Sequence, residues 1–347
     1  MDNNTVLLVS KGFNNNDGIG RISRELYSNL KPIRENIVRL DLESYSKNNK
    51  NPLMQFIGKQ REFNAFKFVK NLHPRIIHAQ APDHASLLAY NRARRILTWE
   101  DTVVYDRIKE STGLLYFKYL YKALLWNEAF FNADVIIDIS SLSKKNREQI
   151  LGKKRKSYVV PLGIDNVFIE NKASKKRDGF AYVGSVQYAN KNIPLLFKFI
   201  SLLNAVVKEE VKLYIYTSTP NAESYLSDLL QTYKIKVILF KNKSDKEISD
   251  SLSNRTALLH LAKSEGFGLP ILEATAIGLP VLTLKDADIP EEVRKYAYIE
   301  SIDNLLVIAK DLIKSNEILS DKAIAYARSF TWEKYAENIN QIYDIEG

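Results

Sequence analysis

No cysteine occurs anywhere in the 347 residues. Disulfides, thiolate metal sites and cysteine nucleophiles are thereby excluded, and a reducing compartment or a hot habitat would suit such a chain. Long apolar runs are missing as well, since none reaches the ~18 residues that a membrane-spanning helix needs. The opening Met1-Asp2-Asn3-Asn4 carries no basic stretch ahead of the short run Val6-Leu7-Leu8-Val9, so no signal peptide is expected. Histidine is scarce, with four in all. Low-complexity tracts and short-period repeats are also absent. Together these absences predict a cytoplasmic chain, peripheral at most at the inner membrane face.

What is present describes a folded protein of more than one core. Apolar residues make up 45% and charged residues 26%, which rules out wholesale disorder. The length suits two domains of about 150 residues each. The net charge of +9 is unevenly spread: residues 141–178 hold eleven Lys/Arg against four Asp/Glu, a surplus of seven. Such a cluster attracts a polyanion, and anionic lipid headgroups fit better than nucleic acid, because Tyr158 and Phe168 are its only aromatic residues. A pair of solvated loops is the plainer alternative.

Apolar β-type runs alternate with helical patterns along the whole chain, the mark of parallel α/β sheets. The strands read as Thr5–Ser10, Asn36–Leu42, Arg75–Gln80, Arg95–Trp99, Asp134–Ser140 and Ser157–Leu162. A second set follows at Phe180–Ser185, Lys212–Thr217, Lys236–Phe240, Ala257–Ala262, Pro280–Leu284 and Tyr296–Glu300. The basic, strand-poor stretch Asp165–Asp178 interrupts the alternation once. Two Rossmann-like domains are therefore predicted, joined near that stretch. The helix Gly113–Phe131 is nearly all apolar, with Lys118 and Lys122 on one stripe. A helix of that composition is ordinarily buried; a membrane-docking face is the other reading.

The most informative string is Glu265-Gly266-Phe267-Gly268-Leu269-Pro270-Ile271-Leu272-Glu273-Ala274-Thr275-Ala276-Ile277-Gly278-Leu279-Pro280. It sets two carboxylates eight positions apart, Glu265 in a glycine-flanked loop and Glu273 one turn into a short helix. Pro270 suits the first helical turn, and Gly278 suits the left-handed position just past a helix end. The helix N-terminus then aims its unpaired N–H groups into the loop of Gly266 and Gly268, where an anion would be welcome. Carboxylates nearby can accept hydrogen bonds from vicinal hydroxyls. A diphosphate flanked by polyols is a nucleotide sugar. The blander alternative makes Gly-Phe-Gly a turn and puts Glu273 on the exposed face of a surface helix.

The string resembles the Glu-x7-Glu motif of retaining GT-B glycosyltransferases, in particular glycosyltransferase family 4. Similarity extends through Ser143-Lys144, Val160-Pro161-Leu162-Gly163-Ile164-Asp165 and Phe330-Thr331-Trp332-Glu333. The resemblance implies the α/β GT-B fold, with two Rossmann-like domains facing across a cleft and a C-terminal helix crossing back to the first. Residues 1–165 with 331–347 would form the acceptor-side domain, and residues 166–330 the donor domain. It implies retaining transfer of a hexose-type sugar from a nucleotide diphosphate sugar to an acceptor hydroxyl that is lipid, glycan or protein-linked. No cofactor and no metal are then required.

Site residues follow from the same resemblance. Glu265 and the amides of Phe267, Gly268 and Leu269 would hold the sugar, with Gly266 beside them, and Glu273 would hold the ribose. Lys191, in Asn190-Lys191-Asn192-Ile193-Pro194, matches the lysine that clamps the diphosphate, while Ser185 stands at the position of the accompanying arginine, whose charge would come from elsewhere, such as Arg21. Gly18 and Gly20 match the N-terminal glycine loop, read as lying ahead of a helix Arg21–Leu30. Glu100 replaces a histidine that lies beside the reacting sugar, with Asp101 retained; a carboxylate there could orient the acceptor, stabilise positive charge or mark an altered donor. His73, His78, His84 and His260 read as structural. Asp286-Ala287-Asp288 imitates a metal motif of another glycosyltransferase fold but lies in a loop that needs none. A nucleotide-sugar epimerase or hydrolase of the same shape, and a non-catalytic nucleotide-sugar-binding scaffold, are the competing readings.

Overall fold

Each of the twelve predicted strands forms; those inside the two sheets are short apolar runs that a parallel sheet buries on both faces, while the strands at the edges are only partly buried. The structure, a computed structural model, describes residues 4–13, 18–45 and 60–347. The chain divides into two units, Met1–Leu162 with Trp332–Gly347, and Gly163–Thr331. In the first, β1 (Val6–Ser10), β2 (Ile37–Asp41), β3 (Ile76–Ala79), β4 (Arg94–Trp99), β5 (Val135–Asp138) and β6 (Ser157–Val159) form one sheet in the order β2-β1-β3-β4-β5-β6. In the second, β7 (Phe180–Val183), β8 (Lys212–Thr217), β9 (Lys236–Lys241), β10 (Ala257–His260), β11 (Val281–Leu284) and β12 (Tyr298–Glu300) are ordered β12-β11-β10-β7-β8-β9. Every pairing in both sheets is parallel. The architecture is two Rossmann-like α/β units.

The first core gathers Leu7, Val9, Leu97 and Trp99 from the sheet with Trp126 and Phe130 from the helix Gly113–Asn132. The second gathers Phe180, Leu213, Ile215 and Leu259 with Phe197, Phe199 and Ile200 from the helix Ile193–Val207. The last helix, Trp332–Glu346, belongs to the first unit. Polar contacts fix it there: the Tyr343 hydroxyl lies 2.6 Å from His78 Nδ1 on β3, and His78 Nε2 lies 2.8 Å from Thr98 Oγ1 on β4. Burial pushes His78 down to about 3, so the ring is neutral at physiological pH. At the far end of the helix, Glu346 takes hydrogen bonds from Arg94, Lys156 and Tyr158.

Three details differ from expectation. The helix after β1 starts at Gly18 rather than Arg21, so Gly18 and Gly20 form its first turn. An N-terminal turn has no intrahelical acceptors for its N–H groups, and glycine is tolerated there at little cost. Residues 14–17 of the same loop lie outside the described residues. The apolar helix Gly113–Asn132 is not buried all round. It sinks Ala123, Trp126, Ala129 and Phe130 and leaves Leu114, Phe117, Leu124 and Phe131 exposed. Finally, Arg147, counted in the basic cluster, is no surface charge. It lies fully buried against Asp138.

Candidate functional site

The second unit assembles the site from three segments. The helix Leu269–Ile277 is bounded as its sequence requires: Pro270 sits in its first turn, Gly268 (φ +100°) precedes it and Gly278 (φ +93°) ends it, both in the left-handed region. A Cβ on Gly278 would come within 3.0 Å of Ile324 Cδ1, so no larger residue fits without displacement. Glu273 is 2% exposed. That burial removes the alternative in which Glu273 lay on an exposed face. No acidic residue occupies the first turn, and the N–H groups there keep their affinity for an external anion.

Ahead of the helix, the Glu265 loop is fixed by its backbone. Glu265 N donates to Asp288 O (2.9 Å) and Asp288 N to Lys263 O (2.8 Å). The Asp286–Asp288 stretch thus serves as a brace for the loop. From the other side comes the turn at the start of the helix Ile193–Val207. Lys263 N donates to Asn190 O (2.7 Å), Asn190 Nδ2 to Ser264 O (3.2 Å) and Asn192 Nδ2 to Leu261 O (3.1 Å). Asn192, left-handed at φ +55° in the cap position, is a residue whose side chain competes well for nearby carbonyls.

This stitching brings Lys191 Nζ to 2.6 Å from Glu265 Oε1, and His260 Nε2, at the end of β10, to 3.0 Å from the same oxygen. The Glu265 side chain is 12% exposed and that of His260 2%. Burial pushes the Glu265 carboxyl up, but the Lys191 charge and then the His260 contact prevail and hold it down at about 2. A folded value below the ordinary 4.5 stabilises the folded state above that value and loses the benefit as pH falls towards 2. Wild type should therefore melt above Glu265→Gln at neutral pH, with the gap closing between about pH 4.5 and pH 2. Melting curves over that range check this; a gap independent of pH would contradict it.

Of the predicted residues, the structure brings together Lys191, Glu265, Gly266, Phe267, Gly268, Leu269 and Glu273. Phe267 is buried with its ring edge-on to Phe330. Ser185 is engaged elsewhere: its Oγ lies 3.1 Å from Thr219 Oγ1, which also accepts from Val186 N. Gly18, Gly20 and Glu100 lie in the first unit, Glu100 following β4. There Tyr335, from the last helix, is pushed up by burial and by the Glu100 charge. Asp101 accepts from Val103 N (3.0 Å), opening the helix Val103–Glu110. His260 was read as structural, and the structure sets it against Glu265. Its signal was a polar ring in an otherwise apolar strand, five positions before Glu265.

Residues 164–330, almost the whole second unit, match the family Glycosyl transferases group 1. The second unit is thus similar to a group 1 glycosyl transferase domain. The chain as a whole has the two-domain GT-B fold. It superposes on sucrose-phosphate synthase from Thermosynechococcus elongatus with a TM-score of 0.79 at 14% identity, covering 99% of this chain and 98% of that one. WaaG, a glycosyltransferase involved in lipopolysaccharide biosynthesis, superposes at 0.70 and 13% identity, covering 98% and 99%.

Curated sequences similar to this chain include the MMP alpha-(1->4)-mannosyltransferase of Mycolicibacterium hassiacum. It is 25% identical over 54% of this chain and 48% of its own length. The O-antigen biosynthesis glycosyltransferase WclY of Escherichia coli is 27% identical over 60% of each. The matches thus span about half to three-fifths of those relatives. Among the described residues, no helix is long and apolar enough to cross a membrane.

Proposed function

We propose that this protein is a retaining glycosyltransferase that moves a hexose-type sugar from a nucleotide diphosphate sugar to an acceptor hydroxyl on a lipid or glycan. The observation that carries the reading is the convergence of Lys191 and His260 on one oxygen of Glu265, beside the open N-terminus of the helix that buries Glu273. A charged carboxylate next to an anion-attracting helix end suits a ligand that is polyhydroxylated at one end and phosphorylated in the middle.

In this reading Glu265 and the amides of Phe267 to Leu269 hold the sugar hydroxyls, and Glu273 accepts from the ribose. Lys191 and the helix N-terminus stabilise the departing diphosphate, where preorganised charge has its largest effect on rate. The acceptor oxygen bonds to the anomeric carbon on the face that the diphosphate leaves. Its proton passes to a phosphate oxygen of the leaving group, so no cofactor and no metal take part. Gly18, Gly20 and Glu100 are assigned by resemblance to the donor and acceptor side of the first unit, and Ser185 by resemblance to the donor side of the second. An anionic membrane is proposed as partner of the basic 141–178 region.

The test is a thermal-shift series with UDP-, GDP- and ADP-sugars. One nucleotide series is expected to raise the melting temperature by mass action, and Glu273→Gln to weaken that shift about tenfold in concentration, as loss of a hydrogen bond to a charged group would. Nucleoside diphosphate release on adding acceptor separates transfer from binding. No shift with any series would overturn the reading. A shift without release would leave a scaffold.

A further inference from the structure

On the helix Gly113–Asn132, Leu114, Phe117, Tyr121, Leu124 and Phe131 follow one another at steps of three and four, with Glu128 in the same series. Such steps align side chains on one stripe. The core is served by the opposite face, through Ala123, Trp126, Ala129 and Phe130. The stripe itself meets solvent, with Leu114 89%, Phe117 65%, Leu124 57% and Phe131 68% exposed. It runs about 25 Å, at 1.5 Å per residue. The strip is apolar from Leu114 to Leu124 and is interrupted once, by the exposed Glu128, before Phe131; an apolar surface of that extent marks a docking face.

Charge identifies the occupant. Lys118 lies on the exposed part of the helix. At the other end, Lys154 Nζ donates to the carbonyls of Phe130 (3.0 Å) and Phe131 (3.4 Å). That contact fastens the loop bearing the exposed Lys153 and Arg155 to the end of the stripe. A second copy of the chain would bring this basic flank against its own image, in a protein already at +9. An anionic bilayer satisfies both features, taking the apolar side chains below the headgroups and the cations at the phosphates. No described helix is long and apolar enough to span a membrane, so the helix would lie in the plane of the surface.

We infer that the helix Gly113–Asn132 docks the protein on an anionic lipid bilayer, inserting Leu114, Phe117, Leu124 and Phe131 and presenting Lys118, Lys153 and Arg155 to lipid phosphates. The inference narrows the membrane partner proposed above to one helix and its flanking loop. It does not depend on the donor chemistry.

Flotation of the full chain with vesicles of phosphatidylcholine, alone or mixed with phosphatidylglycerol, tests it. Wild type should float with the mixed vesicles, far less with the neutral ones, and less in high salt. The triple variant Leu114→Ser, Phe117→Ser, Leu124→Ser should lose binding by about tenfold or more, and so should the variant Lys153→Glu, Arg155→Glu. All these positions are exposed, and unchanged melting curves would show the fold intact. The inference is overturned if wild type floats with neither vesicle, if the serine variant floats like wild type, or if light scattering shows a dimer that the serine variant converts to monomer. The donor thermal shift on the same variants should not change, so failure at the membrane and failure of the donor reading are separate results.

Discussion

Glu265→Ala should lower glycosyl transfer by about a hundred- to a thousandfold, the effect of removing one preorganised group from a buried reaction centre. The alanine removes the shared oxygen on which Lys191 and His260 converge. Lys191 is then left beside His260 with no counter-charge, so both the sugar contact and the position of the diphosphate lysine should suffer. Glu265→Gln keeps the shape and loses only the charge, and it should fall between alanine and wild type. His260→Gln, which keeps an N–H donor near the Nε2 position, should retain more activity than His260→Leu, a split that a purely space-filling histidine would not give. Initial rates of nucleoside diphosphate release are the measurement. Full activity in the alanine variant would sink the assignment.

The second large effect is on stability and lies in the first unit. Asp138 ends β5 and Arg147 lies in the helix Ser141–Leu151, both with fully buried side chains. Arg147 Nε donates to Asp138 Oδ1 (2.8 Å) and Nη2 to Oδ2 (2.7 Å), and Ser157 Oγ donates to Oδ2 (2.9 Å). Removing the cation leaves a buried carboxylate unpaired, at a cost of about 3–5 kcal/mol. Arg147→Met should therefore lower the melting temperature of this unit by roughly 10 °C, at about 2–4 °C per kcal/mol. Adding Asp138→Leu should restore much of the loss, because two apolar side chains carry no desolvation penalty. Calorimetry checks both variants. A single variant melting with the wild type would mean the pair contributes little.

These two sites show how differently the chain discloses its parts. The strands were legible because a sheet buried on both faces demands continuous apolar runs, and runs such as Val6–Val9 and Ala257–Leu259 have no other use. The helix at the site was legible from its ends, since Pro270 and Gly278 are each specific to one side of a helix. Arg147 was misread as surface charge because lysine and arginine are almost always exposed, and its exception depends on Asp138 nine positions earlier. His260 was set aside because a histidine in an apolar strand has no readable direction.

The sequence by itself determined the α/β class, the two sets of six strands and the Glu265–Pro280 motif, all encoded locally in periodicity and in the backbone limits of glycine and proline. Only the tertiary structure decided which groups meet. Lys191 and Glu265 are 74 positions apart, and nothing local to either dictates their contact. Nor could the helix Gly113–Asn132 announce its outward face, because a helix with so few polar residues carries little phase until the sheet beneath it claims Ala123, Trp126, Ala129 and Phe130 and leaves the rest to the solvent.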